Sequence, residues 1–137
     1  MHAGYTIGRI VLASLFYLGG LNKVLDAGPT VTAMEAAGLP FASLLVWAVI
    51  ALELGGGLVV AFGPTVGWTR LTQVTAFALA LHTALINVMF HDFWNHVDLR
   101  AQLELSLFFK NVAVIGGLMM VGAFPGDRME RDQSSTR

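Results

Sequence analysis

The 137-residue chain contains no cysteine, and few of its residues carry a charge. Without cysteine, the chain can form no disulfide and offers no thiolate as nucleophile, iron–sulfur ligand or zinc ligand. Charged residues make up 12% of the chain, against about 25% in an ordinary globular protein. The net charge is −1 and the eight Lys and Arg residues are scattered, so the basic stripe that binds a phosphate backbone is missing. A nucleic-acid partner is therefore not expected.

Several catalytic motifs are also missing from the sequence. It contains no Glu-x-x-His pair for a carboxylate-bridged metal centre, no G-x-S-x-G elbow and no P-loop. We therefore expect no tightly held electron carrier, and any redox chemistry would use a diffusible ligand.

What the chain has in abundance is apolar sequence, since 55% of its residues are hydrophobic. Four apolar segments, each close to the ~20 residues that cross a bilayer as a helix, fall at about 4–25, 41–62, 71–90 and 103–121. They predict an all-α fold: an integral membrane four-helix bundle forming one domain over residues 1–124. The polar tail 125–137 is expected to be disordered and cytoplasmic.

The connections between the segments indicate how the bundle is oriented. In the first connection, Pro29 suits the first turn of a short interfacial helix and Gly38 suits its end. The positive-inside rule favours both termini in the cytoplasm, which places the first and third connections outside. The basic residues on the cytoplasmic side would be Arg70, Arg128, Arg131 and Arg137, against Lys23 and Arg100 on the other.

Each apolar segment carries an ionisable residue: Arg9, Glu53, His82 and Lys110 in chain order. Charges are costly in hydrocarbon, so these side chains are expected to face one another, water or a ligand. Glu53 lies halfway along its segment and is too short to reach the surface. It is therefore either paired with Lys110, His82 or Arg9 from a neighbouring helix, or functional. Lys110, on the order of 10 Å below the outer end of its helix, could extend to that surface. Arg9 could reach the cytoplasmic surface, and His82 could simply bond a nearby carbonyl or hydroxyl.

The third connection is rich in histidine and aspartate, with His91, Asp92, His96 and Asp98 within eight residues. Such a group resembles a metal site, but its spacing matches no standard zinc or di-iron signature. Phe93 and Trp94 are typical of a helix end at the lipid headgroups. Anchoring at the membrane surface is the favoured interpretation, and no metal site is predicted.

Taken in order and spacing, several short motifs resemble the DoxX family of small bacterial membrane proteins. The resemblance runs from about Gly8 to Gly122. Its parts are Arg9, GLNK at 20–23, ME at 34–35 before GLP at 38–40, ELGG at 53–56, HDFW at 91–94, FKN at 109–111 and GG at 116–117.

The resemblance implies a four-helix protein of the bacterial cytoplasmic (inner) membrane. Members are associated with thiosulfate:quinone oxidoreductase or terminal quinol oxidase function. They are also associated with membrane redox complexes that include sulfurtransferase and superoxide dismutase partners. The polar set that the resemblance implies here is Arg9, Lys23, Glu53, His91, Lys110 and Asn111.

The leading functional hypothesis is a membrane subunit of a redox system that binds a quinone, or a similar lipophilic molecule, as a diffusible ligand between its helices. Glu53, His91 and Lys110 are the candidate catalytic residues, which would contact the carbonyl oxygens or relay protons. The candidate binding residues are Arg9, Lys23, His82 and Asn111. Expected partners are the lipid bilayer and redox enzymes or other membrane subunits. The alternatives are a structural subunit that docks a larger complex and, less favoured, a small proton-coupled transporter.

Overall fold

The computed structural model describes residues 2–124, which fold into five α-helices and two short 3-10 turns, with no strand in that range. Four of the helices are long and apolar enough to cross a membrane, which confirms the predicted all-α membrane fold. The predicted tail 125–137 lies outside the described residues. The helices are α1 (His2–Leu25), α2 (Gly28–Ala36), α3 (Ala42–Phe62), α4 (Thr69–Phe90) and α5 (Asp98–Ala123), and the turns are Gly63–Val66 and Phe93–Asn95.

The helix bounds differ from the apolar segments mainly at the start of α5. Its apolar segment was predicted from residue 103, whereas the helix begins at Asp98. The first turns of α5 carry Asp98, Arg100 and Gln102, which are compatible with a helix but not with an apolar segment. Hydropathy thus marks the part of the helix that can face lipid, and the helix itself extends further.

The bundle is built from two closely packed helix pairs, α1 with α3 and α4 with α5, joined by contacts between α3 and α4. Helices α1 and α5 touch much less extensively. All four helices contribute to one apolar core. Its buried members are Ala13, Phe16, Val60, Ala61, Ala76, Leu79, Ala80, Val114, Leu118 and Val121.

Glycine allows the close approach of α1 to α3. A Cβ atom on Gly20 would lie 2.8 Å from Leu54 Cγ and 3.2 Å from Glu53 Cβ, so no larger residue fits without a shift. A Cβ atom on Gly57 would lie 3.3 Å from the Ala13 carbonyl oxygen. Small residues are the usual means by which membrane helices pack, because lipid supplies no hydrophobic drive between them. Here they bring the last turns of α1 alongside the middle of α3.

Large apolar side chains cover the outside of the bundle. Leu18, Val74 and Leu81, for example, are 62%, 67% and 63% exposed. Such an apolar exterior around buried polar groups suits a protein whose solvent is lipid.

The short helix predicted in the first connection is present as α2. It ends just before Gly38, which adopts the left-handed conformation (φ +76°) typical of a helix C-terminal stop. Met34 of α2 is buried against Ala42, Val46 and Ile50 of α3. Because of this contact, α2 lies over the same end of the bundle as the C-terminus of α1 and the start of α3.

Candidate functional site

The most prominent polar feature inside the bundle is a network of three ionisable side chains centred on Glu53. Glu53 is only 4% exposed. Lys23 Nζ lies 3.0 Å from its Oε1 atom and 2.8 Å from its Oε2 atom. His82 Nε2 lies 3.2 Å from Oε1. The cost of burying the carboxylate is therefore offset by an ammonium and an imidazole from two other helices.

The network forms because α3 contacts both α1 and α4, so Glu53 in the middle of α3 can be reached from both sides. Lys23 lies in the last turn of α1, and its four-carbon side chain directs the ammonium group to Glu53 and to the Gly19 carbonyl oxygen at 3.4 Å. His82 approaches from α4. The three side chains thus join three membrane-spanning helices.

A cavity of about 340 Å³ borders Lys23 and His82. Helix α2 covers one side of it, and α3 and α4 contribute the other apolar walls. The volume falls at the lower end of the 300–1,000 Å³ or so that is typical of small-molecule sites. Its remaining lining residues are Pro29, Thr30, Ala33, Met34, Val49, Ile86 and Phe90.

This combination of groups can hold a molecule with an apolar body and a polar edge. The apolar walls would surround the body, while His82 meets the polar edge. The contact between His82 and Glu53 also offers a route along which a proton can pass between the cavity and a buried carboxylate.

Arg9, a predicted binding residue, lies elsewhere. It precedes Lys23 by 14 residues on α1, which corresponds to roughly 20 Å along a helix. Its side chain is buried, Nη1 donates to the Val60 carbonyl oxygen at 3.2 Å, and the guanidinium carbon lies 5.1 Å from the centre of the Tyr5 ring. Arg9 therefore connects α1 to α3 at a different level from Glu53.

His91, a predicted catalytic residue, is also separate from the Glu53 network. Its Nδ1 atom lies 2.9 Å from Glu104 Oε2 at the end of the bundle where α4 meets α5. In the same connection, His96 Nε2 lies 3.1 Å from Asp92 Oδ1. Within residues 2–124, no three histidine, aspartate or glutamate side chains are placed to hold a metal ion together.

Asn111 and Lys110 are adjacent in sequence but differ in position. Asn111 is buried and donates to Asn87 Oδ1 at 3.1 Å, and Asn87 in turn donates to the Phe108 carbonyl oxygen at 3.2 Å. Lys110 is exposed, and within the described residues it forms no ion pair. Of the partners considered for Glu53, the structure brings His82 into contact and not Lys110 or Arg9.

Sequence reasoning did not identify Asn87 or Glu104 as partners. Asn87 had a detectable signal, because it follows Thr83 by four residues and so lies on the same face of α4 as Ala76 and Ala80. Glu104 had none, since a glutamate two turns into a helix usually faces solvent.

The fold and the buried ion network define a multi-pass α-helical membrane protein. Known proteins identify it more closely. The model of the DoxX family matches residues 4–92, so the chain belongs to the DoxX family. The matched range contains Lys23, Glu53 and His82.

A curated relative extends the similarity beyond the matched range. The chain is 31% identical over 131 residues to "Inner membrane protein YqjF" of Escherichia coli (strain K12), which covers 92% of this chain and 91% of that protein. No solved structure matches the chain. The relative and the four spanning helices together support a multi-pass protein of the inner membrane.

Proposed function

We propose that this chain is a membrane subunit of a redox system and binds a quinone, or a similar lipophilic ring molecule, in the cavity beside Lys23 and His82. The observation that carries the proposal is an apolar cavity with a buried ion network at one edge. A quinone ring has the matching character, with apolar faces and two polar oxygens. Pockets of this kind, apolar with a few convergent polar groups, are the usual small-molecule sites.

The proposal divides the chemistry between this chain and a partner. Reduction of a quinone to a quinol takes up two electrons and two protons. A partner redox enzyme would exchange the electrons, and this chain would hold the ring and exchange its protons through His82 and Glu53. Glu53 and His82 are thus the proposed proton-handling residues, and Lys23 holds the carboxylate in place.

The test is binding of a short-chain benzoquinone to the purified protein in lipid nanodiscs. Val49→Trp fills the cavity from α3, and Val74→Trp places the same side chain on the lipid-facing surface of α4 as a matched control. We expect Val49→Trp to weaken binding at least tenfold and Val74→Trp to leave it unchanged. Equal affinity in the two variants would reject this cavity as the site.

A second pair of variants tests which of two lysines, Lys23 or Lys110, is needed for ligand binding. Lys23→Met alters the network beside the cavity, whereas Lys110→Met alters an exposed position on α5. We expect a loss of binding in the first. Loss in Lys110→Met alone would place the ligand at the fourth spanning helix.

One observation favours a second function, that of a structural subunit. The Lys23 ammonium contacts both Glu53 oxygens and the Gly19 carbonyl oxygen, so the ion pair is satisfied without any ligand. Such pairs can fix the register of packed helices. This function predicts a stoichiometric membrane partner in mild detergent that Val49→Trp still binds, and no quinone binding by the chain.

We also propose an orientation in the membrane. Both termini face the cytoplasm, and the cavity beside Lys23 and His82 lies in the outer half of the membrane. The absence of cysteine allows a direct test. A membrane-impermeant maleimide applied to intact spheroplasts should label Asn95→Cys and not Thr65→Cys, both of which are exposed at opposite ends of α4. The reverse pattern would invert the topology.

A further inference from the structure

The hydrogen-bonding roles of His82 follow from the state of Glu53. Lys23 Nζ lies within 3.0 Å of both carboxylate oxygens, an arrangement that suits an ionised carboxylate. An ionised carboxylate only accepts hydrogen bonds. His82 Nε2, 3.2 Å from Oε1, must therefore carry the hydrogen in this contact.

The charge balance of the network determines the state of the other ring nitrogen. Lys23 and Glu53 already neutralise each other, so a neutral His82 leaves the network without net charge. A second proton on the ring would add an unbalanced positive charge inside the membrane, which is unfavourable. With Nε2 protonated and the ring neutral, Nδ1 has a free lone pair and acts as a hydrogen-bond acceptor.

This acceptor is available to a ligand, whereas the nearby ammonium is not. Within residues 2–124, His82 Nδ1 has no hydrogen-bond partner, and the side chain, 12% exposed, lines the cavity. Lys23 Nζ has three N–H groups and three acceptors within 3.4 Å. The one other side-chain polar group in the lining is the Thr30 hydroxyl, which can donate or accept.

We infer that the cavity selects a ring ligand that donates a hydrogen bond, and so binds the hydroxyl-bearing quinol or phenol form in preference to the quinone. The inference rests on the proposed function and specifies its ligand. A quinone offers only acceptor oxygens, which cannot bond to the Nδ1 lone pair. A quinol hydroxyl can bond to it directly.

The same arrangement provides a balanced proton transfer. The ligand O–H bond breaks as Nδ1–H forms, while Nε2–H breaks as a new O–H bond forms on Glu53 Oε1. Glu53 is then a neutral carboxylic acid, and the ligand oxygen carries the negative charge. The Lys23 ammonium can pair with that oxygen instead of with Glu53. No electron moves in this step, and the net charge of the site with its ligand is unchanged.

Three short-chain probes test the preference under anaerobic conditions in nanodiscs: a benzoquinol, the corresponding quinone, and the quinol dimethyl ether, which keeps the shape but has no hydroxyl. We expect the quinol to bind about tenfold more tightly than either of the others, as is typical of one well-made hydrogen bond. His82→Phe should abolish that difference. His96→Phe, a matched control in the third connection, should retain it.

A second measurement uses the protein without any substitution, so it does not depend on whether a variant folds. In protein labelled with ¹⁵N-histidine, His82 should show the Nε2–H tautomer, and only the quinol should shift its Nδ1 signal. An Nδ1–H tautomer, or a quinone that binds as tightly as the quinol, would overturn the inference and leave the proposed function intact. If no probe binds, both are rejected.

Discussion

Two of the buried polar clusters among residues 2–124 link membrane helices in different ways. Asn87 and Asn111 join α4 to α5 through neutral amides inside the helix packing. Glu53 joins α3 to α1 and α4 through charged groups at the edge of a cavity. Amides are sufficient to link two membrane helices, so the use of charge at Glu53 requires another explanation. The available acceptor on His82 and the cavity beside it provide one.

The largest effect should come from removing one member of the charged cluster. Lys23→Met leaves the buried Glu53 carboxyl group without its ammonium partner, and should lower the free energy of unfolding by about 3 kcal/mol. Unfolding in mixed micelles titrated with SDS measures the change. The double variant Lys23→Met, Glu53→Gln should recover most of the loss because no lone charge remains. A single variant as stable as the parent would show that the ion pair contributes nothing.

A smaller effect should follow from separating the helices that carry the cluster. Gly20→Ala places a Cβ atom 2.8 Å from Leu54 Cγ, so Leu54 or α1 must move, at about 1–2 kcal/mol. Gly116→Ala is the control, since no atom lies within 4 Å of its added Cβ. Only the first change should also displace Lys23 from Glu53. Similar stability in both variants would contradict the close packing of α1 on α3.

The amide cluster should contribute less than the charged one. A double-mutant cycle with Asn87→Ala and Asn111→Ala should give a coupling energy of about 1 kcal/mol, in the range measured for hydrogen bonds between membrane helices. Ligand affinity should not change in either variant. A coupling energy as large as that between Lys23 and Glu53 would remove the distinction between the clusters.

The smallest effect should come from the His91 pair at the end of the bundle. Both His91 and Glu104 retain some exposure, so Glu104→Gln should cost about 0.5 kcal/mol or less, and less still at high salt. The same SDS titration at two salt concentrations measures it. A loss comparable to that of Lys23→Met would place His91 in a far less hydrated environment than its exposure indicates.

The number of helices and their approximate bounds could be predicted because each spanning helix is apolar over its length. The contacts between side chains could not be predicted in this way. Hydropathy gives the depth of a residue in the membrane but not the direction in which its side chain points from the helix. Lys110 shows the difference. Successive helix residues point about 100° apart, so the burial of Asn111 turns Lys110 away from the core.

Lys23 was identified by its position in a family motif rather than by any local signal. It lies in the last turn of α1, where a lysine is favourable on any helix and is usually directed to water. Its contact with Glu53 depends on the Gly19–Gly20 pair, which lets α1 approach α3, and on the length of its side chain. The cavity was equally inaccessible to sequence reasoning, because it depends on how α2 folds back over three other helices.

The pairing of Lys23 with Glu53 also affects how the chain enters the membrane. These residues belong to consecutive spanning helices, α1 and α3, with only the short α2 between them. As soon as the first two spans have been synthesised, they can insert as a hairpin in which the charges of Lys23 and Glu53 compensate each other. The third span then adds His82 to an existing ion pair, so no stage of assembly has to leave an isolated Glu53 carboxylate in lipid.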